Sequence, residues 1–567
     1  MAEQAGRANG PFGRVVVRAL KCLGVSHFVL SPGSRSTPLA IAMGELEPGK
    51  VTVCLDERSA AFYALGRIKA TLDPVAVVCT SGTAGAHYYP AVIEAREAGL
   101  PLVVLTADRP PELRHCHCGQ TIDQVKLFGT YPVFQAELPV PENSGLLFRQ
   151  VREICRRSVE AAIGAPRGPV HLNCPFREPF FPEKGEGDSP PDSLFEDLRP
   201  VRRALADPGI VPVLPERTLI LAGPRPCRDH ASEWEALLDL SWQRGFPVLA
   251  DASNAIRYHG GECPHLIIHY DRILRSGEAK QALKPDAVLL WGEPPTSKVL
   301  RQYLTGLDLP GYLVGEGKRG INPIHGRVEW AGKSITAFSE RCRGPKGHYG
   351  EQWAVRDRQF ENSLEAAMSE PHPLFEGDVH RLLGRLLPPE AAVFFASSMA
   401  IRDAEWFMPL RRESLHPFCQ RGANGIDGTL SVARGIAAGL GRPVWLVTGD
   451  LAFLHDANGL LGAVSDRAGV FVILINNNGG GIFEFLPVSG RAPGFERLFA
   501  SPQAVDFRML TQAHGGKYCL ADSLPELEEA ILKWKGRGLM VAEVRIDRKQ
   551  SRRLHKRFLQ GLVQDSC

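Results

Sequence analysis

The feature that most constrains the fold of this chain is a repeated alternation of short apolar runs with turns and helical segments. Each run is rich in β-branched and aliphatic residues and ends in a turn rich in Gly, Ser or Asp. Strands that alternate with helices in this way are typical of parallel sheets with helices on both faces. The sequence therefore predicts an α/β fold built from doubly wound parallel sheets.

The apolar runs fall into three blocks. The first block contains HFVL, VTVCL, VAVVCT, PLVVLTADRP and PVHLNCP; the second contains TLILAG, FPVLAD, DAVLLWG and GYLVGEG; the third contains AAVFFASS, PVWLVTGD, FVILINNN and LMVAEVRI. Residues 181–200 and the stretch from Arg341 to Pro373 separate the blocks and have the composition of linkers. A chain of 567 residues is long enough for several domains. We predict three domains, at 1–185, 200–345 and 370–555.

Composition excludes several classes of protein. Lys plus Arg number 66 against 63 for Asp plus Glu, a net charge of +3, which is too small for a dedicated nucleic-acid surface. The longest plain apolar run, VFVILI, is far shorter than the ~20 residues that span a bilayer. The thirteen cysteines lack regular spacing, and the N-terminus resembles no secretory signal, so we expect free thiols. We predict a cytoplasmic protein without nucleic-acid partners or stable membrane insertion.

The strongest functional signal lies in the third block. One strand ends in Gly449-Asp450, the next ends in Asn476 to Gly479, and Asn477 follows Asp450 by 27 residues. Ligands of open parallel sheets bind at the carboxyl ends of strands. A carboxylate, a side-chain amide and a free carbonyl offer hard oxygen ligands to Mg²⁺, which takes its remaining ligands from phosphates and water. The alternative is a pair of ordinary turns, because Asn, Asp and Gly favour turns.

The GD and NN pair at this spacing resembles the signature of thiamine-diphosphate enzymes. Those enzymes also need a glutamate after a strand of a separate, pyrimidine-binding domain, and Glu57 in VTVCLDERSAAF stands at that place in the first block. Taken alone, Glu57 is an acid in the first turn of a helix, where the helix dipole stabilises it. The resemblance implies instead that Glu57 is the catalytic partner of the cofactor's aminopyrimidine ring.

A closer resemblance covers all three blocks. The motifs are SPGSRSTPLA, DERSA, TSGTA, LTADRPPEL, RGANGIDG, GDLAFLHDANGL and NNNGGGIFEFLP. Together they resemble the 2-succinyl-5-enolpyruvyl-6-hydroxy-3-cyclohexene-1-carboxylate (SEPHCHC) synthase family of menaquinone biosynthesis. SPGSRSTP and TADRPPEL are specific to that family, whereas GD and NN alone indicate the superfamily. The resemblance implies pyrimidine, central and diphosphate domains of the thiamine-diphosphate-binding fold.

The resemblance also implies roles for individual residues. The implied metal ligands are Asp450, Asn477 and the carbonyl of Gly479. The implied cofactor-binding residues are Glu57, Thr80, Ser81, Gly82, Ile426, Gly449, Asp450, Leu451, Asn477, Gly479 and Ile482. Ile426 falls where the family places the aliphatic residue that supports the bent cofactor. The implied substrate-binding residues are Ser34, Arg35, Arg109, Gln120, Lys298, Ser398, Arg402, Arg421, Ile482 and Phe483.

The activity implied by the resemblance uses thiamine diphosphate and Mg²⁺, or Mn²⁺. The enzyme would decarboxylate 2-oxoglutarate and add the resulting succinyl-semialdehyde carbanion to isochorismate. Both substrates are dianions, and five of the implied substrate-binding residues are cationic, as carboxylate recognition requires. The resemblance further implies a homodimer, or a dimer of dimers, with active sites between subunits.

Two alternative functions remain at this point. One is another thiamine-diphosphate carboligase or decarboxylase, such as an acetolactate-synthase-like enzyme. Flavin bound to the purified protein would distinguish this alternative from the SEPHCHC synthase family. The other is a catalytically inactive binding protein on the same fold. The second block carries LAGPRP after its first strand instead of G-x-G-x-x-G, so we predict no flavin or nicotinamide there and a structural role for this block.

The segment from His115 to Cys118 has a metal-like composition. No second Cys/His pair lies at zinc spacing from it, so we predict no metal there. We also expect the thiols of Cys116 and Cys118 to point apart in an extended chain.

Overall fold

The computed structural model describes residues 2–180, 189–201, 209–210, 212–225, 231–259, 263–315, 322–411, 413–463 and 466–560. These residues form three six-stranded sheets in which every strand pair is parallel. The predicted α/β fold is confirmed. Within the described ranges, no helix combines the length and the apolar character that crossing a bilayer needs.

The first sheet is built from the first block of the sequence. Its strands are β1 His27–Leu30, β2 Val51–Val53, β3 Val75–Cys79, β4 Leu102–Asp108, β5 Phe134–Glu137 and β6 Val170–Pro175, in the order β2-β1-β3-β4-β6-β5. Its helices are α1 Ala2–Cys22, α2 Thr37–Gly44, α3 Glu57–Thr71, α4 Tyr89–Ala98 and α5 Gly145–Ile163. The central strands β3 and β4 are wholly buried, which explains their continuous apolar sequences.

The second sheet is built from the middle block. Its strands are β7 Thr218–Ala222, β8 Val248–Ala250, β9 Leu266–Ile267, β10 Ala287–Trp291, β11 Pro310–Val314 and β12 Arg327–Gly332, in the order β12-β11-β10-β7-β8-β9. Its helices are α6 Ala231–Arg244, α7 Tyr270–Ile273, α8 Gly277–Ala282, α9 Lys298–Thr305, α10 Ile335–Arg341 and α11 Tyr349–Ser369.

The third sheet is built from the last block. Its strands are β13 Ala391–Phe395, β14 Leu415–Cys419, β15 Val444–Gly449, β16 Val470–Asn476, β17 Lys517–Leu520 and β18 Leu539–Arg545, in the order β14-β13-β15-β16-β18-β17. The helices of this block are α12 Glu376–Leu386, α13 Met399–Phe407, α14 Thr429–Leu440, α15 Asp450–His455, α16 Phe507–Ala513, α17 Leu524–Lys533 and α18 Arg548–Gln560.

The two predicted linkers need correction. The stretch from Arg341 to Pro373 contains the 21-residue helix α11, so its prediction as a linker is wrong. Trp353 and Leu364 on this helix are fully buried, and their burial outweighs the polar composition that suggested a linker. In the other stretch, residues 181–188 lie outside the described residues. Beyond them, Leu194, Phe195 and Leu198 pack into the core beside the first sheet.

The chain separates into two compact units. The first unit contains the described residues of Met1–Leu205, Gln420–Gly441 and Asp456–Asp466, and the second contains those of Ala206–Cys419, Arg442–His455 and Arg467–Cys567. The proposed boundaries of three domains therefore stay a prediction. Inside the first unit, α14 packs closely against α3. A Cβ atom on Gly66 would lie 2.2 Å from the Val432 carbonyl oxygen, and one on Gly435 would lie 2.1 Å from the Tyr63 carbonyl oxygen.

Candidate active site

The GD and NNNG motifs lie side by side at one edge of the third sheet. Strands β15 and β16 pair in parallel, and Gly449 at the end of β15 stands opposite Ile475 near the end of β16. Asp450 is the first residue of α15, and Asn477 follows β16 directly. Because both strands end at the same edge, the two motifs meet there, as their spacing predicts. The segment Asn476–Gly479 is called the NNNG loop below.

Asp450 is held by backbone donors and is buried. Its carboxylate accepts hydrogen bonds from the N–H groups of Leu451 at 2.7 Å and Gly479 at 2.6 Å. Burial raises the pKa of Asp450 from 3.8 to about 6, and this effect outweighs the two donors and the charge of Arg548, which act in the opposite direction. A bound cation would stabilise the ionised form of this carboxyl group.

Asn477 and Gly479 supply further oxygen atoms. The Oδ1 atom of Asn477 is buried and has no hydrogen-bond partner within the described part of the chain. Such an atom costs about 1–3 kcal/mol unless a ligand contacts it. The Gly479 carbonyl accepts one hydrogen bond, from the Gly481 N–H at 2.9 Å, and keeps its second lone pair. This set of hard oxygen atoms fits Mg²⁺ or Mn²⁺.

The backbone of the NNNG loop requires glycine at position 479. Gly479 has φ +127°, which L side chains rarely adopt, and a Cβ atom there would lie 2.1 Å from the Ala500 carbonyl oxygen. The loop is followed by a 3₁₀ helix, Gly481–Phe485, that carries the half-buried Ile482 and Phe483. The Phe483 and Phe499 rings meet edge to face, with their centroids 5.8 Å apart.

Arg548 supports the NNNG loop and was missed by the sequence analysis. Its guanidinium donates to the Asn478 carbonyl at 2.6 Å, to Glu484 at 3.1 Å and to Glu496 at 2.5 Å. The arginine thus ties the loop to the two segments that follow it. The one available signal was its position three residues after β18, the strand that neighbours β16.

Two predicted substrate-binding residues lie after β13, which is the neighbour of β15 in the same sheet. Ser398 has φ +74° and precedes α13, and its carbonyl accepts a hydrogen bond from the Arg402 guanidinium. Lys298 lies elsewhere in the second unit. It is exposed at the start of α9, after β10 of the second sheet, and no described hydrogen bond or ion pair joins it to the other predicted residues.

In the first unit, the SPGSRS motif contacts the TSGTA motif. A Cβ atom on Gly33 would lie 2.3 Å from Thr80 Cβ, so this approach requires glycine. The Arg35 backbone N–H donates to the Thr80 hydroxyl at 3.3 Å. The buried Arg35 guanidinium donates to the Phe176 carbonyl at 2.9 Å and to Glu178 at 2.7 Å. Ser34 is exposed beside it.

Four other predicted residues of the first unit form a hydrogen-bonded group. The Arg109 guanidinium donates to the Ser81 hydroxyl and, at 2.9 Å, to the Gln120 carbonyl. The Gln120 side-chain amide donates to the Ser81 carbonyl at 3.1 Å. Gly82 has φ +81°, and a Cβ atom there would lie 2.8 Å from Gln120 Cγ. The structure therefore brings Ser81, Gly82, Arg109 and Gln120 together.

A chain of buried polar side chains lies behind this group. Gln124 accepts from the Gly82 N–H at 2.8 Å and donates to Asn173 at 3.1 Å. Asn173 donates to Asp108 at 2.8 Å, and Asp108 accepts from the Arg109 N–H at 2.7 Å. Ser81, Gly82, Arg109 and Gln120, together with Asp108, Gln124 and Asn173, are called the pocket network below. The last three residues were given no predicted role: Asp108 lies within the TADRPPEL motif, whereas the contacts of Gln124 and Asn173 depend on tertiary packing.

The charge of one guanidinium group acts on another in this region. Burial, and next the charge of Arg109, lower the pKa of Arg35 from its ordinary value, while Glu178 acts in the opposite direction. Two cations close enough to interact in this way favour a ligand with more than one negative charge. Dicarboxylates are such ligands.

Glu57 is the first residue of α3 and is half-buried. The preceding residue, Asp56, accepts from the Ser59 N–H at 3.1 Å and from the Asn458 side chain at 2.7 Å. The buried Asp456 contacts the start of the same helix, since the Ser59 hydroxyl donates to it at 3.4 Å. Residues of the segment HDANG thus fix the helix turn that carries Glu57. This segment belongs to the motif GDLAFLHDANGL, for which only the GDL residues had a predicted role.

The loop that carries Arg421 and Ile426 is also fixed inside the first unit. The buried Glu94 on α4 accepts from the N–H groups of Gly422 at 3.1 Å and Ala423 at 2.6 Å. A Cβ atom on Gly428 would lie 1.9 Å from Phe62 Cγ of α3. The Arg421 Nε atom is buried and lacks a hydrogen-bond partner among the described residues, so it is available to a ligand.

Comparison with known protein families gives two matched regions. Residues 11–127 match "Thiamine pyrophosphate enzyme, N-terminal TPP binding domain", and residues 405–544 match "Thiamine pyrophosphate enzyme, C-terminal TPP binding domain". Glu57 lies in the first region, and Asp450 and Asn477 lie in the second.

Curated relatives match nearly the whole chain. A protein of Synechococcus elongatus named 2-succinyl-5-enolpyruvyl-6-hydroxy-3-cyclohexene-1-carboxylate synthase is 41% identical over 554 residues, which cover 96% of this chain and 94% of the relative. A protein of the same name from Rippkaea orientalis is 40% identical over 571 residues, covering 98% and 96%.

Solved structures share the fold. A putative thiamin diphosphate-dependent enzyme from Mycobacterium smegmatis matches with a TM-score of 0.68 at 19% identity, covering 94% of this chain and 99% of that one. Benzoylformate decarboxylase from Polynucleobacter necessarius matches with a TM-score of 0.68 at 18% identity, covering 95% and 98%.

Proposed function

The chain belongs to the 2-succinyl-5-enolpyruvyl-6-hydroxy-3-cyclohexene-1-carboxylate (SEPHCHC) synthase family of thiamine-diphosphate enzymes, and we propose in detail how its residues serve that reaction. The protein is a transferase of menaquinone biosynthesis. Its substrates in this proposal are 2-oxoglutarate, which loses its carboxylate next to the keto group as carbon dioxide, and isochorismate, which receives the remaining four-carbon unit by conjugate addition.

The observation that carries the proposal is that Asn477 Oδ1 has no partner among the described residues while the buried Asp450 carboxyl contacts the same loop through the Gly479 N–H. Both groups are unfavourable alone and become favourable around a divalent cation. We assign Asp450, Asn477 and the Gly479 carbonyl to Mg²⁺ or Mn²⁺, and Gly449, Leu451 and Ile482 to the cofactor around it. Thiamine diphosphate, when bound, supplies the electron sink for decarboxylation and carbon–carbon bond formation.

The first unit supplies the groups that face the organic part of the cofactor. We assign to Glu57 the exchange of a proton with the aminopyrimidine ring, and to Ile426 an apolar support for the cofactor's bent shape. Thr80, Ser81 and Gly82 line the same site in this proposal. The start of α3 is held by Asp56, Asn458 and Asp456, so the helix turn that carries Glu57 is positioned before any ligand arrives.

The cationic side chains bind the carboxylates of the two dianions. The charge of Arg109 acts on Arg35 in the first unit and lowers its pKa, after the effect of burial, and Arg421 has a buried Nε atom without a partner among the described residues. These groups act electrostatically and exclude water from the carboxylates they hold. The proposed substrate-binding set is Ser34, Arg35, Arg109, Gln120, Lys298, Ser398, Arg402, Arg421, Ile482 and Phe483.

The finer organisation belongs to the same proposal. We propose pyrimidine, central and diphosphate domains at 1–185, 200–345 and 370–555, and a cytoplasmic enzyme. We further propose a homodimer, or a dimer of dimers, in which each active site takes residues from two subunits. The structural support is that Glu57 and Asp450 belong to different compact units of the chain.

One assay tests the function directly. The purified protein is supplied with thiamine diphosphate, Mg²⁺ and 2-oxoglutarate, with and without isochorismate, and carbon dioxide release and product mass are followed. We expect rapid release only with isochorismate present, together with a product that contains isochorismate plus the four-carbon unit. Turnover of pyruvate to acetolactate, with bound flavin, would instead support the acetolactate-synthase-like alternative.

A further inference from the structure

A pair of thiols lies at the edge of the pocket network. The Sγ atoms of Cys116 and Cys118 are 3.4 Å apart, so the expectation that they point apart is wrong. His115 and His117 adopt φ +58° and φ +57°, and these left-handed residues curl the segment so that the two side chains meet. In addition, residues two apart share a face even in an extended chain. Residues 115–118 are called the dithiol loop below.

The dithiol loop is open to reagents in solution. Cys116 is exposed and Cys118 is half-buried. The Cys116 thiol also lies 3.2 Å from the Leu113 carbonyl, to which it donates. Hydrogen bonding to Cys116 raises the pKa of Cys118. Two accessible thiols already in contact need little further motion to form a bond.

The loop is continuous with residues that we place in the substrate pocket. Gln120 lies two residues after Cys118 and has φ +55°. Its carbonyl accepts from Arg109 at 2.9 Å, and its side chain donates to the Ser81 carbonyl at 3.1 Å. A change in the shape of residues 116–118 therefore reaches Arg109 through one short stretch of backbone.

A metal site does not account for the pair. No group of three or more His, Cys, Asp and Glu side chains able to hold a metal ion occurs anywhere in the described ranges. His115 and His117 are exposed and do not complete a tetrahedral set with the thiols. The arrangement that remains is an accessible dithiol beside a carboxylate-binding arginine.

We propose that Cys116 and Cys118 form a reversible intramolecular disulfide that weakens substrate binding. The oxidant is a small-molecule disulfide: one thiolate attacks it and releases one thiol, and the second thiolate then displaces the other thiol. The two cysteines lose two electrons and two protons, and the small disulfide becomes two thiols. The modification site follows from the thiol geometry, whereas its effect on substrate rests on the proposed function.

The physical effect is a local contraction. The sulfur atoms must approach from 3.4 Å to about 2.05 Å, the length of a disulfide bond. Because only His117 lies between the two cysteines, this contraction is taken up by the backbone on either side, including Gly119 and Gln120. We expect the Arg109 guanidinium to lose its hydrogen bond to the Gln120 carbonyl and to leave its place in the pocket network.

The first experiment detects the bond without using activity. The full-length protein, with thiamine diphosphate and Mg²⁺, is incubated with oxidised glutathione, and its intact mass and peptides are measured. We expect loss of two hydrogen atoms and a peptide with Cys116 joined to Cys118. The variants Cys116→Ser and Cys118→Ser should retain a mixed glutathione adduct instead. Cys519→Ser, which removes a half-buried thiol on β17, should still form the bond.

The second experiment measures the consequence. We expect oxidation to raise the KM for one of the two dianions by roughly tenfold, as when a charge-assisted hydrogen bond is weakened, and to change kcat less. Dithiothreitol should restore the reduced value, and the double variant Cys116→Ser/Cys118→Ser, which has no thiol in the dithiol loop, should show no change in KM with the oxidant. Absence of the Cys116–Cys118 peptide would overturn the modification site, as would stoichiometric Zn²⁺ retained by the thiols after dialysis.

Failure of the proposed function gives a different result from failure of this inference. An enzyme that forms the bond but turns over neither substrate contradicts the function and leaves the modification site established. An active enzyme that forms the bond with unchanged KM values contradicts the proposed effect on Arg109. Both outcomes are read from the same oxidised sample.

Discussion

The pocket network and the NNNG loop differ in how their polar groups are satisfied. In the pocket network, Gln124, Asn173 and Asp108 connect the Gly82 N–H to the Arg109 N–H through an unbroken series of buried hydrogen bonds. In the NNNG loop, Asn477 Oδ1 is buried without a partner in the described structure, and burial raises the pKa of Asp450 to about 6.

The difference shows which region depends on a ligand. The pocket network is complete within the protein, so its geometry is fixed before substrate binds. Asn477 in the NNNG loop and Asp450, which accepts from the loop's Gly479 N–H, are both costly until a cation contacts them, so binding free energy is available there. Substitutions in the two regions should therefore have different effects on cofactor binding and on turnover.

The largest effect is expected for Asp450→Ala, which removes the carboxylate of the ligand-dependent region. Loss of a residue that only hydrogen-bonds to a metal ligand lowers metal affinity by ~10–100-fold. Because Asp450 is itself a proposed ligand, we expect a larger fall in the affinity for thiamine diphosphate with Mg²⁺. Isothermal titration calorimetry gives the affinity, and the melting temperature of the cofactor-free protein serves as the folding control. Unchanged affinity would remove Asp450 from the cofactor site.

Glu57→Gln tests a residue of the first unit whose helix turn is also fixed within the protein. The amide keeps the shape of the side chain but cannot exchange a proton with the pyrimidine ring, so turnover should fall by ~10²-fold or more. Cofactor affinity, measured as for Asp450→Ala, should change little. A variant that turns over at a nearly normal rate would leave Glu57 as an acid at a helix start.

The pH dependence of stability isolates Asp450 itself. A carboxyl with a raised pKa in the folded state stabilises the fold relative to an amide at low pH, and this contribution is lost as pH rises through about 6. We expect the free energy of unfolding of the cofactor-free protein, compared with Asp450→Asn, to fall by about 3 kcal/mol between pH 3.8 and 7.

The free energies of unfolding of the two proteins are measured by urea unfolding at each pH. A chelator is present to remove divalent cations. Without ligands at pH 7, the ionised Asp450 should lower the free energy of unfolding of the wild-type protein relative to Asp450→Asn. Addition of Mg²⁺ and thiamine diphosphate should remove this difference. An equal pH response in both proteins would show that Asp450 is not the group with the raised pKa.

Single replacement of the arginines by Gln sharpens the assignment of substrates. Loss of a charge-assisted hydrogen bond costs ~1.5–3 kcal/mol. Replacement of any one of these residues should therefore raise the KM for one dianion by roughly 10–100-fold and change the KM for the other dianion less. The residues are Arg35, Arg109, Arg402 and Arg421. Arg156→Gln is the matched control, because this arginine is exposed on α5 and pairs with Glu residues of its own helix. If all four variants behave like Arg156→Gln, the pocket is misplaced.

The smallest expected change is the recovery of activity when two inactive chains are combined. If each site takes Glu57 from one subunit and Asp450 from the other, a mixed dimer of Glu57→Gln and Asp450→Ala chains has one intact site. Random pairing makes about half the dimers mixed, so coexpression should restore roughly a quarter of wild-type activity. Inactivity of mixed dimers whose composition mass spectrometry has verified would show that one chain supplies both residues.

The sequence was most informative in the interior of each sheet. Every central strand was located, because central parallel strands are buried on both faces and therefore continuously apolar. Among the edge strands, β2 was found, whereas β5, β9, β12, β14 and β17 were not. Four of these contain exposed or half-buried residues, and β9 has two residues. Edge strands carry polar residues that prevent pairing with other chains, so their sequences resemble loops.

The candidate site divides in a similar way. Asp450, Asn477 and Gly479 could be predicted because strand ends meet at one edge of a sheet, and their adjacency is what the structure shows. Arg548 and Asn173 could not, because each acts through contacts far along the chain that depend on tertiary packing. The roles of these residues in catalysis stay predictions.

The contact between α3 and α14 has a consequence for how this protein can vary over time. The helices meet backbone to backbone at Gly66 and Gly435, so no side chain is present there to change rotamer and absorb an added methyl group. Compensation at a neighbouring position cannot make room, because the obstructing atoms belong to the main chain of every possible sequence. Positions 66 and 435 therefore accept only glycine while this helix contact is kept. The helix that begins at Glu57 can change in sequence only at its other positions.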